Sequence, residues 1–227
     1  MDDLKLYEQF QELCLGFPGL SLQRYGGEPW YIRGQLKFSR AYLKQNIEDE
    51  YSVEILIPHD YPLVLPKTFE VGGRIPREFH QYQDGALCLG TPIAIKQNFR
   101  KQPSLFGYVE GSVIPYLYSY SYKSKFGKMP FGELSHGGKG ILEYYQEVFS
   151  VRDPRRVRKF LQILADGNYP GHLRCPCGSG KRLRSCHGKL LLELILLQTA
   201  TEFRAEEDMI IKYLISIAFK LPYRSII

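Results

Sequence analysis

A chain of 227 residues that is 44% hydrophobic can build one or two packed domains and does not read as disordered. No apolar run approaches the ~20 residues of a membrane span, and the opening MDDLKLYEQF is acidic and amphipathic where a secretory leader would be basic and then apolar. A soluble cytoplasmic protein is therefore expected. The net charge of +6 is concentrated between Val151 and Leu190, where ten Lys/Arg face only Asp153 and Asp166.

In chain order, Leu4, Tyr7, Phe10, Leu13, Cys14 and Phe17 recur at helical spacing and predict an amphipathic helix that Gly16 and Pro18 end. From Trp30 the period falls to two. Trp30, Ile32, Leu36 and Phe38 mark one half-buried strand, and Tyr51, Val53, Ile55 and Ile57 another. A short strand is expected around Leu43, and a further one at Phe69 and Val71. Between the last two, Pro58, Pro62 and Pro66 forbid helix and ladder pairing and predict a rigid extended connection. A helix follows over about Leu105 to Tyr122, broken or kinked at Pro115. The tyrosines at 116, 118, 120 and 122 read as packing residues.

A loop over Gly132 to Gly138 leads to a helix from about Lys139 to Phe149. Asp153 and Pro154 then cap and start a helix to about Asp166, with Val157, Phe160, Leu161 and Leu164 on one face. Residues 189–221 read as one or two apolar helices. Consecutive strands without helical crossovers mean an antiparallel sheet and an α+β fold.

Five cysteines, an odd number with no leader, argue against a disulfide framework. Cys14, on the helix face, reads as core packing. Cys175, Cys177 and Cys186 fall within twelve residues, and His187 follows at once. Two cysteines one residue apart reach a metal from one turn, Gly178 and Gly180 let the loop fold back, and Cys186 with His187 closes a sulfur/nitrogen set suited to tetrahedral zinc. Four protein ligands leave no open position, so the zinc is expected to be structural. His172 is the substitute should His187 point away. The stretch Cys175 to Gly188 resembles the SEC-C zinc motif, a short module found on bacterial proteins such as the secretion ATPase.

Cys88 stands apart, between Leu87 and Leu89. On residue type alone it reads as buried core. The run Tyr61-Pro62-Leu63-Val64-Leu65-Pro66, a strand, a turn with His80, and Gly85-Ala86-Leu87-Cys88-Leu89 together resemble the ubiquitin-conjugating-enzyme (UBC) fold over about residues 1–125. With the glycine-rich 130–138 stretch and the SEC-C-like tail, the chain is similar to the prokaryotic branch of that family, associated with bacterial antiviral defence operons. The resemblance implies a UBC-like four-stranded antiparallel meander with flanking helices, followed by a small zinc knuckle and C-terminal helices. It also implies a thioester on Cys88. The family's His-Pro-Asn tripeptide is absent. His80 falls about where its asparagine would sit, and Gln81 and Gln83 are other donors. His80 or Gln83 is expected to stabilise the oxyanion. His59 reads as structural, and His136 as a turn residue, a gate for the cysteine or an anion binder at the following helix's N-terminus.

The expected organisation is a catalytic domain over residues 1–150, a basic helix with the zinc motif over 151–188, and a helical segment over 189–227. The expected function is an acyl carrier. It takes the C-terminus of a ubiquitin-like or cGAS-like protein onto Cys88 and delivers it to a target amine, with an activating enzyme as a further partner. Nucleic acid is disfavoured as a partner, and no membrane is involved. The alternatives are a catalytically silent scaffold of the same fold that binds protein or nucleic acid through the zinc and basic module, and a thiol hydrolase pairing Cys88 with His80 or His136.

Overall fold

The computed structural model describes residues 2–24, 26–27, 29–42, 45–130, 135 and 137–219. The chain divides into two compact units, residues 1–133 and 134–227, so the sequence boundary at 150 lies inside the second unit. Among the described residues no helix is long and apolar enough to cross a membrane.

The first unit is α+β. Helix α1 (Asp3–Gly16) is capped by Asp2, whose carboxylate accepts from the Leu4 N–H. It buries Leu6, Phe10 and Leu13, and Phe17 just beyond, while Leu4 and Tyr7 are exposed. The buried stripe is thus 6, 10, 13, 17, one step round from the face predicted through Leu4 and Tyr7.

Four strands follow in meander order: β1 (Leu20–Gln23), β2 (Trp30–Tyr42), β3 (Gln45–Ile57) and β4 (Lys67–Glu70), each antiparallel to the next. The expected number of strands is present, but one differs in place. The additional strand is β1. The position expected for it, Leu43, lies outside the described residues, between two long strands whose register runs from Trp30–Ile57 to Tyr42–Gln45. The alternation in β2 and β3 sends Ile32, Leu36, Phe38, Tyr51, Val53 and Ile55 into the core. Gly34 has φ +145° and lies against Gly19, whose carbonyl oxygen would sit 2.0 Å from any added Cβ. This close approach lets β1 join the sheet.

After β4 comes an irregular stretch that carries Cys88, then α2 (Pro92–Lys101), with Thr91 at its N-cap position and Pro92 in its first turn. Helix α2 was not anticipated. Its polar run Lys96-Gln97-Asn98 hides a short apolar face made by Ile93 and Phe99. Helix α3 (Leu105–Tyr108) passes through a π-turn at Val109–Val113 into α4 (Ile114–Phe126). Pro115 has no N–H to donate, and the widened turn just before it absorbs that loss, which is the break expected there. Tyr116, Tyr118 and Tyr122 are buried. The Tyr118 hydroxyl lies 3.1 Å from both the Tyr42 and Gln45 carbonyls, so α4 clamps the end of the β2–β3 ribbon.

The second unit is helical around a small irregular ribbon. Helix α5 spans Gly137–Val148 and α6 spans Pro154–Asp166, with Asp153 as N-cap and Gly167 at φ +64° closing it. The ribbon folds over residues 171–187. Helix α7 (Gly188–Ile195) and α8 (Ala200–Ala218) follow, α8 opening with a capping box of Thr199 and Glu202. Phe149, Phe160, Leu161, Leu191 and Phe203 are fully buried.

Gln9 on α1 joins three parts of the first unit. Its side-chain oxygen accepts from the Tyr61 hydroxyl (2.7 Å) and from the Leu105 N–H (3.0 Å), tying the proline turn to the start of α3. Gln9→Ala strands both donors and is expected to cost about 2 kcal/mol. Trp30, the sole tryptophan, lies in this unit, so a lowered denaturant midpoint in its fluorescence checks the expectation.

Candidate metal centre and cysteine loop

The metal-ligating candidates converge. The ligand atoms of Cys175, Cys177, Cys186 and His187 all lie within 4.8 Å of one another. Cys175 Sγ is 3.2 Å from His187 Nδ1, Cys186 Sγ is 3.3 Å from the same nitrogen, and Cys177 Sγ is 3.6 Å from Cys186 Sγ. A tetrahedral ion bonded to sulfur at about 2.3 Å spaces its ligand atoms roughly 3.7 Å apart, so the set fits one ion.

Local backbone geometry explains the convergence. The Gly178 N–H donates to the Cys175 carbonyl (3.2 Å), and Gly178 and Gly180 take φ +86° and +74°, which reverses the chain between ligands. The Cys175 N–H donates to the Lys181 carbonyl and the Leu183 N–H to the Leu173 carbonyl, both at 2.8 Å. Arg156 on α6 donates to the Cys177 carbonyl at 2.6 Å.

The second nitrogen of His187 decides its role. Nε2 lies 3.0 Å from the Phe149 carbonyl oxygen, which can only accept, so Nε2 carries the proton and the Nδ1 lone pair points to the sulfurs. The ring is wedged beside Phe160, with centroids 5.0 Å apart. His172, the substitute, is exposed and takes no part in the cluster.

The sulfurs differ electrostatically. Burial pushes the Cys175 thiol up to about 11. Burial also acts against the Cys177 thiolate, but hydrogen bonds from Ser179 and the neighbouring thiols outweigh it and bring Cys177 down to about 6.

Cys88 sits on a stretch that the backbone holds firmly. The Leu87 N–H donates to the Thr68 carbonyl on β4, and the Cys88 N–H donates to the His80 carbonyl, both at 2.8 Å. Between them a turn closes with Tyr82 N–H to Ala86 O (2.8 Å) and Gly85 N–H to Tyr82 O (2.9 Å), Gly85 at φ +85°. Asp84 accepts from the Ala86 N–H and pairs with Lys67 on β4 (2.8 Å). Lys67 and the Ala86 N–H hold its carboxyl below the usual range.

Leu87 is buried, whereas Cys88 is only half-buried. Tyr82 lies near enough to Cys88 for a charge on the sulfur to act on its phenol. Burial, and then the charge a Cys88 thiolate would carry, raise the Tyr82 phenol above its ordinary range and keep it a donor at neutral pH. Beside the loop lies a cavity of about 290 Å³, walled by Leu65, Tyr82, Leu87, Leu89, Ile95 and Tyr108 among others.

The sequence-predicted companions of Cys88 fall in different places. His80 is buried, with its ring edge-on to Phe79 (4.9 Å) and its backbone at φ +44°, a left-handed conformation that histidine adopts more readily than most residues. Its backbone carbonyl is what meets the Cys88 N–H. Gln83 is exposed at the turn, and Gln81 bridges to Leu87 and donates to the Ile75 carbonyl (3.2 Å). His59 is exposed, and His136 lies outside the described residues. Tyr82 was missed by sequence reasoning. Its one signal was its place in the turn that closes before Cys88.

No protein-family model matches this sequence, and no curated protein matches it either.

Two outcomes follow for the cluster. Elemental analysis is expected to find one metal ion per chain, and none after Cys175→Ser with Cys177→Ser. In metal-stripped protein, alkylation mapped by mass spectrometry is expected to reach Cys177 at lower pH than Cys175 wherever the ribbon keeps its fold.

Proposed function

We propose that this chain is a ubiquitin-conjugating-like acyl carrier whose nucleophile is Cys88, with a structural zinc ion in the Cys175, Cys177, Cys186 and His187 centre. The observation that carries the reading is the state of Cys88. Its backbone is pinned to β4 through Leu87 and to the His80 carbonyl, while the residue stays half-buried with Tyr82 nearby. Leu87, just before it, is buried, whereas Cys88 is not fully enclosed. The order of α1, a four-stranded meander, a proline-rich turn, a cysteine loop and following helices is the order the UBC resemblance implies.

The chemistry needs a sulfur that two macromolecules can reach in turn. The Cys88 thiolate attacks the activated C-terminal carbonyl of a ubiquitin-like or cGAS-like protein. The activating group leaves and a carbon–sulfur bond forms. A target amine then attacks that carbonyl, the carbon–sulfur bond breaks, and the amine proton is lost as the thiolate departs. Tyr82, close to the sulfur, is the candidate donor to it in both steps. His80 and Gln83 are the oxyanion candidates, Gln83 being the exposed one. When bound, zinc fixes the ribbon by replacing thiol protons with metal–sulfur bonds, and it takes no part in transfer.

The test is adduct trapping with the activated donor protein. A thiol-reducible adduct is expected with the native chain, none with Cys88→Ala, an ester with Cys88→Ser and an amide with Cys88→Lys. Removal of this candidate donor beside the charged sulfur, in Tyr82→Phe, is expected to slow loading about tenfold. A native chain that forms no adduct would leave the silent scaffold, and release of the acyl group to water without transfer would make it a hydrolase.

A further inference from the structure

The basic segment that the acyl-transfer chemistry leaves unused has a definite arrangement. Arg174 and Arg182 are direct partners in an antiparallel bridge of the metal-binding ribbon. The hydrogen bonds on either side, Cys175 to Lys181 and Leu183 to Leu173, make them a non-hydrogen-bonded pair. In such a pair the Cα atoms are about 4.5 Å apart and both side chains leave the same face. Like charges so placed repel and destabilise the bridge. Neither guanidinium has a side-chain or carbonyl partner among the described residues, and the same holds for the exposed Lys181 and Arg184 in the ribbon and Arg155 and Lys159 on α6.

The acids of the segment are already engaged. Asp153 caps α6 and pairs with Arg156, and Asp166 pairs with Arg204. Arg156 in turn ties the first turn of α6 to the Cys177 carbonyl.

We infer that the metal-binding ribbon is a docking surface for the phosphate backbone of nucleic acid, read without regard to sequence. Three features favour phosphate. The central pair is arginine, whose planar fork bonds phosphate through two N–H groups. The ribbon is held rigid by its ligands, so little order is lost on binding. Between Arg152 and Lys189, Leu173 is the one large hydrophobic side chain exposed among the described residues, so the surface lacks the apolar anchors that give protein interfaces their affinity. A surface of unpaired cations without anchors binds by releasing counterions from a polyanion. The inference does not depend on Cys88.

The test uses the full chain and a labelled duplex of about 20 base pairs, with binding followed by anisotropy as salt is raised. Each phosphate contact adds about 0.9 to the steepness of log K against log salt. Arg174→Gln with Arg182→Gln is expected to flatten that slope by about 1.8, with metal content unchanged. Lys5→Gln with Arg77→Gln removes the same charge from exposed sites in the first unit and is expected to leave the slope alone. Should the arginine variant lose its metal, Lys181→Gln with Arg184→Gln gives the same reading from the flanking positions. The inference is overturned by absence of binding at low salt, by an unchanged slope in the arginine variants, by equal flattening in the control, or by tighter binding of polyglutamate than of the duplex. That last result would assign the surface to an acidic protein.

Discussion

Two backbone hydrogen bonds hold the first unit's cysteine loop in place: Leu87 N–H to the Thr68 carbonyl, and Cys88 N–H to the His80 carbonyl. They hang an irregular segment on the free edge of β4. The sheet order ends at that strand, so β4 offers unpaired backbone groups that the segment takes up. Because side chains alternate, fixing the register by these two bonds fixes which residue faces the interior. Leu87 goes in, and Cys88 is left at the boundary. Tyr108 holds the same edge from behind, its hydroxyl donating to the Pro66 carbonyl at 2.8 Å and lying 3.0 Å from Thr68 Oγ1. A one-residue slip would bury the sulfur and expose the leucine.

The second unit meets a different constraint. Residues 171–187 form almost no regular structure and contribute few apolar side chains, chiefly Leu183, to its core. Such a segment cannot fold on hydrophobic burial alone, and a centre of three sulfurs and an imidazole supplies the missing cross-links. The imidazole does more than ligate. Through Nε2 it bonds the carbonyl of Phe149, whose ring stacks on Phe160 at 4.3 Å. The ligand set is thereby joined to the aromatic core of the helices, so an ion bound there and that core would stabilise each other.

Much of this was legible in the sequence. The period-two runs from Trp30 and before Ile57 gave the two long strands, and Asp153 with Pro154 gave the start of α6, because each signal is local. The α+β class and the spacing of the metal ligands were equally plain. The misplaced features all depend on distant partners. β1 is four residues long and exists because Gly34 lets Gly19 approach it. Helix α2 has only two buried side chains, too few for a periodic signal. The stripe on α1 turned by one step because Leu6, not Leu4, faces the sheet. At the cysteine loop, sequence order drew attention to His80 and Gln83, but no pattern reports that His80 engages through its carbonyl, or that Tyr82 folds back to the sulfur through a turn closed by Asp84 and Gly85.

The five cysteines divide by environment rather than by residue type. Cys14 is half-buried on α1, its thiol donating weakly to the Leu20 carbonyl at 3.7 Å, and burial raises its pKa, so it stays a neutral packing residue. The ribbon sulfurs sit within reach of one another, and only an ion, or protons held on most of them, removes their mutual repulsion. Cys88 alone has neither a neighbouring thiol nor a purely apolar surround. Tyr82 and Tyr116 lie near enough to feel a charge on its sulfur, and the residue is half-buried. A phenol can donate to a sulfur in either charge state without competing for its proton at neutral pH. Under the proposed carrier reading, Tyr82 could therefore serve the sulfur both while it is free and while it leaves.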